Sequence, residues 1–87
     1  MDPTPDLIAI HMRSFIAPEP PLRDFRPGII CPVYIQRQTT LGEFLTQFFS
    51  GKASQIGLTA VNGRVADERT ILSAGDQVDV YELLGGG

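Results

Sequence analysis

The segment Thr40-Leu41-Gly42-Glu43 marks the start of the one helix this chain announces. The threonine hydroxyl can accept the amide hydrogen three residues on, and Glu43 can reach back to the threonine amide. The pair satisfies donors that a helix start otherwise leaves free. Leu41, Phe44, Leu45 and Phe48 follow at i, i+3, i+4 and i+7, one apolar stripe on a helix of about ten residues. Ser50-Gly51 ends it, because glycine adopts the left-handed conformation at a helix terminus without a steric cost. One short amphipathic helix must bury its stripe against a second layer. The remaining sequence offers strands for that layer.

From Leu7 the chain alternates, with Ile8, Ile10 and Met12 on one side and Ala9, His11 and Arg13 on the other. Period two predicts a half-buried strand. A second strand is expected over 32–37, with Val33 and Ile35 inward. Between them, residues 17–32 hold Pro18, Pro20, Pro21, Pro27 and Gly28, which exclude a regular helix or ladder. This is a long loop with a short turn at Leu22-Arg23-Asp24-Phe25. Residues 56–66 read as a hairpin about Asn62-Gly63, both of which tolerate positive φ. Ile71 and Leu72 are expected as inward anchors of the crossing over 67–74. Gly75-Asp76 turns the chain into a last strand, with Val78 and Val80 facing the core and Asp79 and Tyr81 facing outward. The last strand fits beside the first and parallel to it, with the helix in the crossover. The expected fold is α+β, a β-grasp with a mixed four- to five-stranded sheet packed on one main helix. The expected organisation is a loose N-terminus over 1–6, the domain over 7–84, and a glycine tail over 85–87.

Composition excludes several functions. At 87 residues with 43% hydrophobic and 20% charged side chains, the chain suits one small globular domain with little room for a buried polar site. No apolar run nears the ~18 residues of a membrane span. The acidic, Pro-rich N-terminus is unlike a signal peptide, so a cytoplasmic location is expected. Cys31 is the single cysteine, with no disulfide or zinc pattern, and reads as a small buried residue. His11 reads as a solvent-facing strand residue. The net charge is −3, without the clustered Lys/Arg face of a nucleic-acid binder. Lys52 is the sole lysine. Asp67, Glu68, Asp76, Asp79 and Glu82 come late, either as a solvated face or as one that steers a basic partner. There is no nucleophile–base pair, metal cluster or phosphate loop, so the expected role is not enzymatic, with no metal and no bound cofactor.

The last residues are Leu83-Leu84-Gly85-Gly86-Gly87. A glycine run is poor folding material, but it makes a thread thin enough to enter another protein's active site. Three extended residues reach roughly 10 Å. Gly87 is therefore the candidate reactive group, through its carboxylate.

The segments Val61-Asn62-Gly63, Leu72 with Gly75-Asp76-Gln77-Val78-Asp79-Val80, and Gly86-Gly87 resemble, in order and spacing, the ThiS/MoaD sulfur-carrier family, over roughly residues 33–87. That family has the ubiquitin-like β-grasp fold. Its members join the first two strands by a tight turn, where this chain inserts its Pro-rich loop. The Leu83-Leu84 pair before the glycines is closer to ubiquitin.

The resemblance implies a co-substrate. A ubiquitin-activating-like adenylyltransferase uses ATP to adenylate Gly87. A desulfurase or rhodanese-type donor supplies sulfur, and the resulting thiocarboxylate serves a thiazole synthase or the large subunit of molybdopterin synthase. Gly85 and Gly86 form the thread. Tyr81, Leu83 and Leu84 form the docking patch at its base. The alternatives are a ubiquitin-like modifier, which passes Gly87 to a lysine, and a non-covalent ubiquitin-like interaction module, which does not need the tail.

Overall fold

The computed structural model describes residues 6–83. Apart from Asp6, the loose N-terminus expected over 1–6 lies outside the described residues, as do Leu84, Gly85, Gly86 and Gly87. Asp6 itself is tied to Arg37, whose amide donates to Asp6 O at 2.7 Å.

In chain order the elements are β1 (Leu7–Ser14), β2 (Cys31–Gln36), α1 (Leu41–Phe48), a 3-10 turn (Ala53–Gln55), β3 (Ile56–Val61), β4 (Arg64–Val65) and β5 (Gln77–Glu82). They form one five-stranded sheet in the order β2-β1-β5-β3-β4. β1 and β5 run parallel at its centre, and every other pair is antiparallel. With the helix across one face, this is the ubiquitin-like β-grasp fold.

Alternation along the strands decides which face the helix covers. Ile8, Ile10, Met12 and Ser14 of β1 point to one side and are all buried. The register sets Met12 between Cys31 of β2 and Val78 of β5, so the inward rows of three strands coincide. Leu41, Phe44 and Phe48 of α1 close over them. Phe44 sits at the centre of the aromatic packing, 5.1 Å from the Phe48 ring and 6.2 Å, edge-on, from Phe49. Each fully buried side chain of this size contributes about 1.5–3 kcal/mol.

The helix start is fully satisfied. Glu43 N donates to Thr40 Oγ1 at 3.1 Å, and Thr40 N donates to Glu43 Oε1 at 2.9 Å, the expected capping box. Leu41 N donates to Thr70 O and Gly42 N to Glu68 O. The segment before β5 therefore doubles as part of the cap. Gly42 permits this approach, since a Cβ there would lie 3.0 Å from Glu68 Cβ.

Two expectations are corrected here. The helix is shorter than about ten residues, because Phe49 leaves helical geometry to enter the core. Ile71 is not an inward anchor. It is 58% exposed, whereas Leu72 is buried. The segment is extended, with Thr40 and Ile71 forming an isolated antiparallel bridge, and consecutive residues of an extended chain face opposite sides. Only one of the pair can point inward.

The Pro-rich connection is fastened at several points. Ser14 Oγ caps Ile16 N at 2.9 Å, Glu19 N donates to Phe48 O at 2.7 Å, and Gly28 N donates to Ser14 O at 2.8 Å. The expected turn at Leu22–Phe25 is present, closed by Phe25 N to Leu22 O. Leu22 and Phe25 pack against the core. No helix among the described residues is long and apolar enough to cross a membrane.

Candidate functional site

The two most recognisable sequence signals, Asn62-Gly63 and Gly75-Asp76, meet in space. Asn62 Nδ2 donates to Asp76 Oδ1 at 2.9 Å, while Asn62 Oδ1 accepts from Gln77 N at 2.9 Å. Asp76 Oδ2 accepts from Ser73 N at 2.8 Å. Asn62 holds φ at 54° and Gly63 at 84°, the left-handed geometry the tight hairpin demands. Together they form a clasp that locks the β3–β4 hairpin to the entry of β5. Its polar groups bond one another, so the clasp sets register and offers no reactive group.

The exit of β5 has a different character. Its outward residues lie on the sheet face opposite α1. Asp79 is in the middle, expected to face outward, and it does point to that side. It is nevertheless only 3% exposed. Arg13 Nε donates to its Oδ1 at 3.0 Å, and Gln77 Nε2 donates to the same oxygen at 3.1 Å. The correction has a simple cause: parallel pairing with β1 sets Arg13 directly beside Asp79, and the two cover each other. The nearby carboxylate, with help from the Tyr81 hydroxyl, raises the Arg13 guanidinium further above its ordinary pKa. Arg13 Nη2 reaches that hydroxyl at 3.4 Å.

Tyr81 is half-buried. Its ring stacks on Phe15, with centroids 5.7 Å apart and planes 18° from parallel, and across the sheet it faces Leu58 of β3. Phe15 and Leu58 are both exposed. Leu83 follows, 56% exposed, with its amide donating to Gln55 O at 2.7 Å. The structure thus brings Tyr81 and Leu83 together at the end of β5 and adds Phe15 and Leu58 beside them. Leu84, Gly85, Gly86 and Gly87 continue from this point, outside the described residues.

The base of the tail crosses β3 at a register shift between Ile56 and Leu58, where Gly57 is the extra residue. A Cβ on Gly57 would lie 3.1 Å from both Glu82 O and Leu83 Cα. Gly57 therefore allows the end of β5 to lie directly on β3.

Sequence reasoning did not find Phe15, Arg13, Leu58 or Gly57. Phe15 sits at the mouth of the Pro-rich loop and carries no periodic signal, while the other three depend on strand pairing. The late acids do not form one face: Asp76 is spent in the clasp and Asp79 on Arg13. Cys31 is buried, and desolvation, with the charge of Asp24 adding to it, pushes its thiol pKa up. A raised pKa disfavours the reactive thiolate. His11 is exposed, as expected. Among the described residues no three His, Cys, Asp or Glu converge as a metal site.

No protein-family model and no curated protein matches this chain. Solved structures do. The crystal structure of SAMP1 from Haloferax volcanii superposes with a TM-score of 0.60 at 16% identity, covering 91% of this chain and 99% of that one. A crystal structure of H. volcanii small archaeal modifier protein 1 gives 0.55 at 14% identity, with coverage of 85% and 95%. The solution structure of the H. volcanii HVO 2177 protein gives 0.65 at 18%, with coverage of 100% and 93%. At these identities the likeness is one of fold, and it extends over nearly the whole of each chain.

Proposed function

We propose that this chain is a ubiquitin-like carrier whose C-terminal Gly87 is activated and used by other catalysts. What supports the proposal is the apolar and aromatic base that Phe15, Leu58, Tyr81 and Leu83 form at the exit of the central strand of a β-grasp body, after which the sequence continues as Leu84-Gly85-Gly86-Gly87. Tyr81, Leu83 and Leu84 dock on a ubiquitin-activating-like adenylyltransferase, and Gly85 and Gly86 thread its channel. A carboxylate oxygen of Gly87 attacks the α-phosphorus of ATP, forming the acyl adenylate and releasing pyrophosphate. The persulfide of a desulfurase or rhodanese-type donor attacks the acyl carbon and AMP leaves, giving an acyl disulfide. A thiol attacks the donor-side sulfur of that disulfide. The new bond joins the donor sulfur to the thiol, and the thiocarboxylate departs with the electron pair. Its ionised sulfur is a nucleophile. It is delivered in the cytoplasm to a thiazole synthase or to the large subunit of molybdopterin synthase.

A second reading, protein modification, is favoured by the name of one structural neighbour, small archaeal modifier protein 1. It shares the adenylation step. A lysine amine of a target then displaces AMP and forms an isopeptide bond.

Intact-mass analysis of protein isolated from its native host separates the readings. Replacement of one oxygen by sulfur at Gly87 supports the carrier. Branched peptides joining Gly87 to foreign lysines support the modifier. Deletion of Gly86-Gly87 abolishes both chemistries. Absence of both species, together with a partner bound equally well after that deletion, leaves a non-covalent interaction module.

A further inference from the structure

The sheet has an unfilled margin beside α1. β4 is two residues long, and after Ala66 N donates to Thr59 O the chain leaves the sheet for the helix start, where Glu68 O receives Gly42 N. Among the described residues, β3 therefore has chain beside its outer edge only from Thr59 onward, and Ile56–Leu58 forms a bare edge. A groove of about 780 Å³ runs between this edge and α1, within the size range of ligand pockets. Leu45 and Ile56 border it, packed on the core through one side only. Val65, 73% exposed, stands at one end. Among the described residues lining it, Asp67 and Glu68 carry the charge, and both are exposed.

We propose that this groove binds an extended peptide of alternating apolar and basic side chains, added along the free edge of β3. Three observations converge on that occupant. An unpaired strand edge presents backbone groups in the repeat an extended chain matches. The apolar borders accept every second side chain of such a chain, because strand residues alternate. The lining charge is acidic and unmixed, which selects basic neighbours on the peptide and repels acidic ones. The groove shares Gly57 and Leu58 with the base of β5, but Phe15 and Tyr81 do not line it, and the proposal does not rest on activation of Gly87.

The test is an NMR titration of the full 15N-labelled chain with two peptides, acetyl-Val-Lys-Val-Lys-Val-amide and acetyl-Val-Glu-Val-Glu-Val-amide. The basic peptide is expected to shift the amides of Gly57, Leu58 and Thr59, with a Kd on the order of 0.1–1 mM. The acidic peptide is expected to bind about fivefold more weakly, a gap that added salt closes. Asp67→Asn combined with Glu68→Gln should make the two peptides equivalent. Thr46→Arg, at an exposed helix position lining the groove, should weaken binding of the basic peptide through like-charge repulsion. Equal binding of the two peptides by the unaltered chain would overturn the proposal. So would shifts confined to the opposite face around Tyr34 and Tyr81, or no shift at Gly57–Thr59.

Discussion

Replacing Asn62 by alanine separates structure from chemistry in the most recognisable motif of this chain. The substitution removes two hydrogen bonds, Nδ2 to Asp76 Oδ1 and Gln77 N to Oδ1, each 2.9 Å long. At about 0.5–1.5 kcal/mol each, they account for about 1–3 kcal/mol. Alanine must also hold φ near 54°, which costs about 1 kcal/mol more than for asparagine. The total is about 2–4 kcal/mol, against a stability of roughly 4–13 kcal/mol for a domain of this length. The expected fall in Tm is on the order of 10–25 °C. Urea denaturation followed by circular dichroism measures it, with an unchanged m-value confirming a two-state comparison. Asn62→Gly keeps the backbone freedom and loses only the side-chain bonds, so it should show only the hydrogen-bond share. Gln77 and Leu83 stand at opposite ends of β5, roughly 20 Å apart at the rise of a strand. Activation of Gly87 per folded molecule should therefore be unchanged in Asn62→Ala. A stability loss below about 0.5 kcal/mol, or a loss of activation without a loss of stability, would refute the clasp.

Three further outcomes follow from the same geometry. Burial raises the Cys31 thiol above its ordinary pKa of 9.0, so the unfolded chain ionises first. Stability should be intact below pH 9 and fall above it, and urea midpoints of Cys31→Ala should lose that slope. Gly57→Val forces side-chain atoms against Glu82 O and Leu83 Cα. It should cost about 1–3 kcal/mol and displace the Glu82 and Leu83 amide resonances while leaving those of Ile8–Met12 in place. Tyr81→Ala and Leu83→Asp should raise the KM of the adenylating enzyme for this chain at least about tenfold, the effect of a lost anchor worth 1.4 kcal/mol, with the KM for ATP unchanged. An equal rise in both would place these residues outside the docking surface.

The elements legible in the sequence are those whose causes are local. The capping box at Thr40 and Glu43 needs four consecutive residues, and the structure forms it with both bonds. Alternation from Ile8 to Met12 needs only neighbours. The parallel pairing of the first and last strands followed from the element order and the handedness of crossovers. What was hidden depends on pairs distant in sequence. Asp79 reads as a surface carboxylate until register sets Arg13 beside it, 66 residues away. Ile71 and Leu72 look alike as apolar neighbours, and only the bridge to Thr40 decides which of them turns inward. Gly57 resembles any glycine in a hairpin arm until the end of β5 is laid across it.

This division bears on how the chemistry is to be recognised. Asn62 and Asp76 bond each other and the backbone around them, so their presence follows from the need to join a tight hairpin to a central strand. In this chain the motif therefore serves the fold and carries no chemistry of its own. The chemical signal has to come from residues the fold does not need. Leu83 is exposed where a core residue would be covered, and Gly85-Gly86-Gly87 contributes no side chain to any core. A chain with the clasp intact and those glycines replaced should fold with unchanged stability and fail to accept AMP. Retained adenylation in that variant would show that activation does not depend on the glycine thread and remove the basis of the proposal.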